Sequence, residues 1–502
     1  MNLLKFHEEP WKHSHPIYSS SVLSMTPAPE YASSEVLLSS LYRVIGFQGA
    51  SERTVPGQGR DLDRDVQKSR DRVRIPAGAT LDPDAFHTML HSVLESPKLP
   101  NQSSRRFLQV TPLVPQTALF SGSARLGGNP WTAGALVRRM VQLGSRDNAD
   151  AKAVWQSLFD ALSVGEDDDI FARFLQEEVH AWTSSSQWSV LDLDGSPHLS
   201  PEDRGQLSYP ARRFVRDLAS IIEAKQSMTR RQWTSLLESI IRLASVSHVI
   251  WICDVQSRIW ECVKASLAGK APLTEVEARL EMFPRSLAYL SYGDRALTGL
   301  TDRVAGFLKA RLGLNAVLWA IQEVSPGTLV SLDSAAGVAG LCALARKLAP
   351  DFEKIDLGTV LAEVNERETR ALLCKKGIGS NIMEFARHVL GQRQTANPIL
   401  RGYDQGFIIR KRGNSPASPW VVGLGPVAVL ALVHCSLAET TGPRSVHRLA
   451  QHLSMYGIVV DHRDIAQNDL GQQLRMLGLV LDSPDAESGM LLVPPFERQE
   501  IV

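Results

Sequence analysis

Apolar positions recur at helical spacing over most of this chain. From about Thr132 to Lys376 the pattern repeats in segment after segment. "TAGALVRRMVQLG" runs into Gly144, a residue suited to a helix C-terminus. "NADAKAVWQSLFDALSVG" sets Val154, Leu158, Phe159 and Leu162 on one face. "DDDIFARFLQEEVHAW" opens on acids, which favour the positive end of a helix dipole. "TRRQWTSLLESIIRLASV" opens on Thr229 as N-cap and carries Trp233, Leu236, Leu237, Ile240 and Ile241 on one broad face, with its arginines on the wet side. Further helices are expected near 256–268, 273–281, 297–323, 333–348 and 357–374. No fixed period links them, so residues 132–391 read as an irregular multi-helix body rather than a solenoid.

The flanking regions read differently. Residues 1–131 look mixed and irregular, with helices at "SSEVLLSSLYRVIGF" and at "DPDAFHTMLHSVLES", where Asp82 is the cap and Pro83 the first turn. Residues 51–75 are dense in charge of both signs and in turn formers, which predicts a solvated loop. "RFLQV" could be a strand. In 392–424 the period changes: "FIIRKR" and "WVVGL" flank Gly413-Asn414-Ser415-Pro416, the signal of a small, basic β-hairpin.

Residues 425–502 read helix, helix, helix, hairpin. Pro426 opens the first helix, Ser445 caps "VHRLAQHLSMYG", and Asp461 caps a third helix over 462–477 with Ile465, Leu470, Leu474 and Leu477 turned inward. "LVL" and "MLLVP" then make two strands around "DSPDAESG". This order, with its "LRMLGLV…GMLLV" transition, resembles a winged helix-turn-helix domain over residues 425–496. The resemblance makes 445–456 the second helix and 462–477 the recognition helix. Its outward residues are then Arg463, Gln467, Asn468, Gln472, Gln473 and Arg475; amides read adenine edges and arginine reads guanine or a phosphate. Arg410, Lys411 and Arg412 of the hairpin, with Arg444, His447 and Arg448 at the second helix, would add a phosphate-facing surface. The wing tip departs from DNA-binding members, since it carries Asp482, Asp485 and Glu487, and Asp464 and Asp469 sit on the recognition helix. A module of this kind docks on double-stranded DNA or on other protein subunits, and both readings stay open here.

Composition narrows the rest. Of 502 residues, 44% are hydrophobic, enough for packed cores. Lys+Arg and Asp+Glu are both 54, so the chain has no global field to draw it onto nucleic acid or anionic lipid, and any DNA contact must be local. Five scattered cysteines in apolar surroundings form no CxxC pair, which points to reduced thiols in the cytoplasm. The polar N-terminus does not read as a signal peptide, and no segment reads as a membrane span.

Candidate chemistry is sparse. His87 and His91 lie one turn apart, but Thr88 stands where a zincin has glutamate, so no metal is assigned. Lys375 and Lys376 precede a glycine-rich turn and a helix capped by Ser380 or Asn381, a weak phosphate site that lacks the P-loop spacing. Asp217, Glu223 and Lys225 echo nuclease chemistry, yet their spacing fits one amphipathic helix. No catalytic residue and no cofactor is assigned. The overall character resembles accessory subunits of bacterial multi-gene systems, such as those that defend against phage. It implies a non-enzymatic, DNA-associated or adaptor protein. A ligand-responsive transcription regulator, or an enzyme whose site assembles only in the fold, is the alternative.

Overall fold

The computed structural model describes residues 2–25, 34–50, 54–72, 74–96, 110–121, 132–183, 187–193, 195, 197, 199–296, 298–373, 378–391, 404–413, 415, 417–438, 440, 442–482 and 490–496. Helix makes up 64% of the described residues, so the fold is mainly α. Its axis is one helix, Arg230–Leu267, of 38 residues. The sequence pattern suggested two helices here. They are one because the stretch from Ala244 to Gln256 is buried on nearly every side, its Ser245, Ser247, His248 and Gln256 included, and a helix that is buried all round has no amphipathic period to read. Thr229 and Gln232 form its capping box. Helix Thr298–Val324 packs along it, and the two approach closely at Gly313, where a Cβ would lie 2.4 Å from the ring of Trp260. Both helices are long and apolar enough to cross a membrane; their apolar windows are 100% and 78% buried inside the fold.

Around this axis lie helices Ser34–Gly46, Ala133–Gly144, Asn148–Leu162, Ile170–Trp182, Ala211–Glu223, Ala335–Lys354, Leu357–Leu373 and Ile378–Val389. The last begins before Ser380, so neither Ser380 nor Asn381 is its cap. The expected caps Asp82, Thr229 and Asp461 are in place, and the Thr132, Asp147 and Asp169 side chains cap three further helices, accepting from the amides of Ala135, Asp150 and Ala172. The N-terminal segment is fastened to helix Thr298–Val324. The His15 amide donates to Asn315 Oδ1 at 2.6 Å, and Trp319 Nε1 donates to the His13 carbonyl at 2.9 Å.

Two expectations for the N-terminal half are corrected. Residues 51–75 are not a loop, because Val55–Asp71 is helical. Leu62 and Val66, four apart, are buried in a second apolar cluster with Phe86, Leu90, Val179 and Trp182. And Arg230 is not on the wet side. It is 1% exposed and donates to Asp168, to the hydroxyl of Tyr42 and to the carbonyls of Leu113, Leu162 and Ser163. Of "RFLQV", only Val110 lies within the described residues, where it makes an isolated bridge with Glu95.

The strands all lie toward the C-terminal half. β1 (Leu290–Ser291) runs parallel to β5 (Ile458–Val459). β2 (Ile409–Lys411) and β3 (Trp420–Val422) form the expected antiparallel hairpin, with bridges from Tyr292 and Arg295 to β3. β4 (Arg444–Ser445), β6 (Val480–Asp482) and β7 (Met490–Leu492) form one sheet in the order β4-β7-β6, antiparallel throughout. One buried cluster extends from Leu3 to Leu492 and includes residues of the central helix and of helix Pro426–Ser436.

Candidate nucleic-acid interface

The terminal module is assembled around helix Pro426–Ser436, which starts at a proline and is buried against the central helix and Ala211–Glu223. Leu449 and Leu453 of helix His447–Met455, with Ile465, Leu470, Leu474, Met490 and Leu492, close its interior. Ser445 lies in β4 rather than inside the helix, although its Oγ accepts from the His447 amide at 3.3 Å.

The expected continuous helix over 462–477 is not formed. Two shorter ones, His462–Ile465 and Asp469–Met476, replace it. Glycine at position 471 permits the break. Gly471 packs so closely on the Ile465 carbonyl that a Cβ there would lie 2.0 Å from the oxygen. Asn468 takes an extended conformation at the break, and its Oδ1 accepts from the amides of Leu470 and Gly471 at 2.9 and 3.2 Å. Asn468 is therefore a helix cap, with its amide oxygen committed to the backbone instead of to a base.

The cations sort into two groups. Arg410 is ion-paired with Asp469, which ties the hairpin to helix Asp469–Met476. Arg475 pairs with Asp482 at 3.0 Å and donates Nη1 to the Ala466 carbonyl. These two are committed to internal contacts. Lys411, Arg412, Arg444 and Arg463 form no side-chain ion pair among the described residues. Arg412, Arg444 and Arg463 are exposed and Lys411 is half-buried. Arg448 Nε donates to the Ser436 carbonyl at 3.0 Å, leaving its charge uncompensated. Gln467 and Gln472 are exposed. Lys375 and Lys376, and the acids Asp485 and Glu487, lie outside the described residues.

Arg444, His447, Arg448, His462 and Arg463 gather where two helices begin. The rings of His447 and His462 are 4.7 Å apart, edge to face. Val446 offers no capping side chain, so the first turn of His447–Met455 adds its partial positive charge to the group. Asp461 and Asp464 are the acids on this side, and Asp461 is spent on the Arg463 amide at 2.9 Å. Chemically the arrangement suits an anion with several oxygens, such as a run of phosphates.

What fastens this face to the body escaped the sequence reading. Asp217 of Ala211–Glu223 is 0% exposed, and the terminal module surrounds it. Tyr456 Oη donates to its Oδ2 at 2.6 Å, His452 Nε2 lies 3.0 Å from the same oxygen, and Arg213 Nε donates to Oδ1 at 2.8 Å. Burial alone would raise this carboxyl, but His452 and Arg213 hold it below the ordinary range. The same burial pushes the Tyr456 phenol and the Cys435 thiol well up, so both stay protonated. A signal was available: Asp217 shares the inner face of Phe214, Leu218 and Ile221, an acid where the period demands an apolar residue. Arg242 does the same for the segment before the hairpin. It forms a two-pronged ion pair with buried Asp404 at 2.8 and 2.9 Å and donates to the Val389 carbonyl.

His87 and His91 stand 4.3 Å apart, ring to ring, and His91 contacts Asp63 at 3.2 Å; no metal-binding group of three ligands occurs among the described residues. No protein-family model matches the sequence, and no curated protein matches it.

Proposed function

We propose that residues 425–496 act as a winged helix-turn-helix module and that the protein is a DNA-associated adaptor subunit of a larger assembly. One observation carries this reading. β4, inserted between the first and second helices, pairs with β7 of the terminal ribbon, so four helices, Pro426–Ser436, His447–Met455, His462–Ile465 and Asp469–Met476, and the sheet β4-β7-β6 close around one apolar interior. A helix pair set beside a ribbon in this way supports the reading. The uncompensated cations at Arg444, Arg448 and Arg463 support contact with the phosphate backbone. With Asn468 spent as a cap and the recognition segment in two pieces, base reading falls to Gln467 and Gln472, and binding is expected to be weakly selective.

The adaptor half rests on a separate feature. Met476 and Leu481, 78% and 54% exposed, flank the Arg475–Asp482 pair, and apolar side chains in such a setting suit a protein partner. Placement in a bacterial anti-phage system belongs to the same proposal and draws only on the resemblance of architecture.

The test is a salt titration of duplex binding. Wild type should bind with an affinity that falls steeply with salt, and the triple change Arg444→Ala, Arg448→Ala, Arg463→Ala should lower the log–log slope by up to about 0.9 per lost phosphate contact. An unchanged slope in a folded variant would remove DNA contact from the reading.

A further inference from the structure

The N-terminal half holds a cavity of about 310 Å³, far in sequence from the terminal module. It is bounded by Phe47, Gln48, Gly49, Ala50, Gln58, Leu119, Gln187 and Ser189. Its walls are fixed by ordinary structure. The chain leaves helix Ser34–Gly46 through a turn in which the Ala50 amide donates to the Phe47 carbonyl at 3.3 Å, with Gly49 at φ 73°. The opposite wall runs alongside that helix end, the Ser189 amide donating to the Gly46 carbonyl at 3.1 Å and the Leu191 amide to Ile45 at 2.9 Å. Trp188 locks the two together: its ring stacks on Phe159, tilts against Phe47, and Nε1 donates to Ser163 Oγ at 2.8 Å. Gln58 enters from the first turns of helix Val55–Asp71.

Two features point to a ligand. Three primary amides line one small space, and none of the described lining residues is charged. And Gln58 Oε1 is buried without a hydrogen-bond partner, which is unfavourable unless something donates to it. An amide presents an acceptor beside a donor in one plane. Phe47 and Leu119, 2% and 4% exposed, give an apolar floor. We infer that this cavity binds a small, flat, uncharged heterocycle of the nucleobase type, whose adjacent donor and acceptor pair with the glutamine amides. Phosphates, carboxylates and ammonium groups find no counter-charge among the described lining residues. The volume sits at the lower end of small-ligand sites and is adequate for a base or nucleoside.

The test uses the full chain and does not involve DNA. Adenine, adenosine, guanosine, uridine and cytidine are titrated by thermal shift and equilibrium dialysis, with glucose and acetate as controls. At least one heterocycle should bind saturably and raise Tm, and the controls should not. Gln58→Leu should weaken that binding by roughly tenfold or more, and so should Gln48→Ala, which changes only an exposed turn residue and keeps the fold. No saturable binding by any heterocycle, saturable binding by glucose or acetate instead, or undiminished binding by a folded Gln48→Ala protein overturns the inference.

Discussion

The phenol of Tyr456 donates to Asp217 across 2.6 Å, and through that bond the terminal module is joined to the helical body. His452 and Arg213 converge on the same carboxylate. The four side chains come from two distant parts of the chain and are almost wholly shielded from water, so the face that carries Arg444 and Arg463 is held in a set orientation relative to the body.

Asp217→Ala should be strongly destabilising. It leaves Arg213 and His452 in the interior without a counter-charge, and removing one partner of a buried pair costs about 3–5 kcal/mol. Tyr456→Phe removes a single hydrogen bond and should cost about 1–2 kcal/mol. Denaturant unfolding measures both. Equal, sub-kilocalorie losses would show that the carboxylate does not hold the module in place.

His248 predicts a pH effect. It is fully buried on the central helix, neither ring nitrogen has a partner, and burial pushes its imidazole down to about 3 from 6.5. The folded protein therefore keeps it neutral where the unfolded chain protonates. Above pH 6.5 both states are neutral and nothing changes; as pH falls from 6.5 toward 3 the unfolded chain holds the extra proton and stability drops. His248→Leu removes this group. The stability difference between wild type and variant should then move by up to about 1.4 kcal/mol per pH unit across that window. Parallel stability curves would mean that His248 is solvated or charged in the folded protein.

Much of the fold could be read from spacing because amphipathic helices with Thr or Asp caps announce themselves, as at Asp82, Thr229 and Asp461. The reading failed where burial or tertiary contact overrode the local pattern. Ala244 to Gln256 is buried on nearly every side, polar residues included, so the continuity of the central helix left no periodic trace. Leu62 and Val66 were two apolar residues among many charges, yet they suffice to dock a helix on the second cluster. The break at Asn468 brings Gly471 against the Ile465 carbonyl, a contact that only the folded turn creates. At the candidate interface the basic residues were visible, but which of them remain uncompensated depends on partners 7 and 59 residues away, Asp482 for Arg475 and Asp469 for Arg410.

That last pairing gives a test of charge at the interface. Asp469 neutralises Arg410, and both are about 40% exposed. Asp469→Asn keeps the side chain's shape and should change stability by no more than about 1 kcal/mol, the worth of a surface ion pair and one helix-dipole contact. Duplex affinity at low salt should rise, and the salt slope should steepen by up to about 0.9 if Arg410 gains a phosphate. A drop in affinity would mean that Arg410 serves only to seat the hairpin and that the phosphate-facing surface excludes it.

Gly457 sits where helix His447–Met455 gives way to β5, at φ 83°, and a Cβ there would lie 2.1 Å from the ring of Tyr289. That ring cannot easily retreat, since its hydroxyl is 2.9 Å from Ser247 Oγ on the central helix and its amide donates to the Gly457 carbonyl. Gly457→Ala therefore meets two penalties at once. The left-handed conformation alone costs an L-residue about 1–2 kcal/mol, and the overlap must displace Tyr289 or the β1–β5 pairing. The variant should lose at least 2 kcal/mol, roughly the upper end of the conformational penalty with relief of the overlap added. The loss should show as a lowered Tm and, because β5 leads into His462 and Arg463, as weakened duplex binding. If the alanine variant unfolds at the wild-type temperature, the close seat of Tyr289 on the terminal module is wrong, and with it the rigid presentation of the basic face.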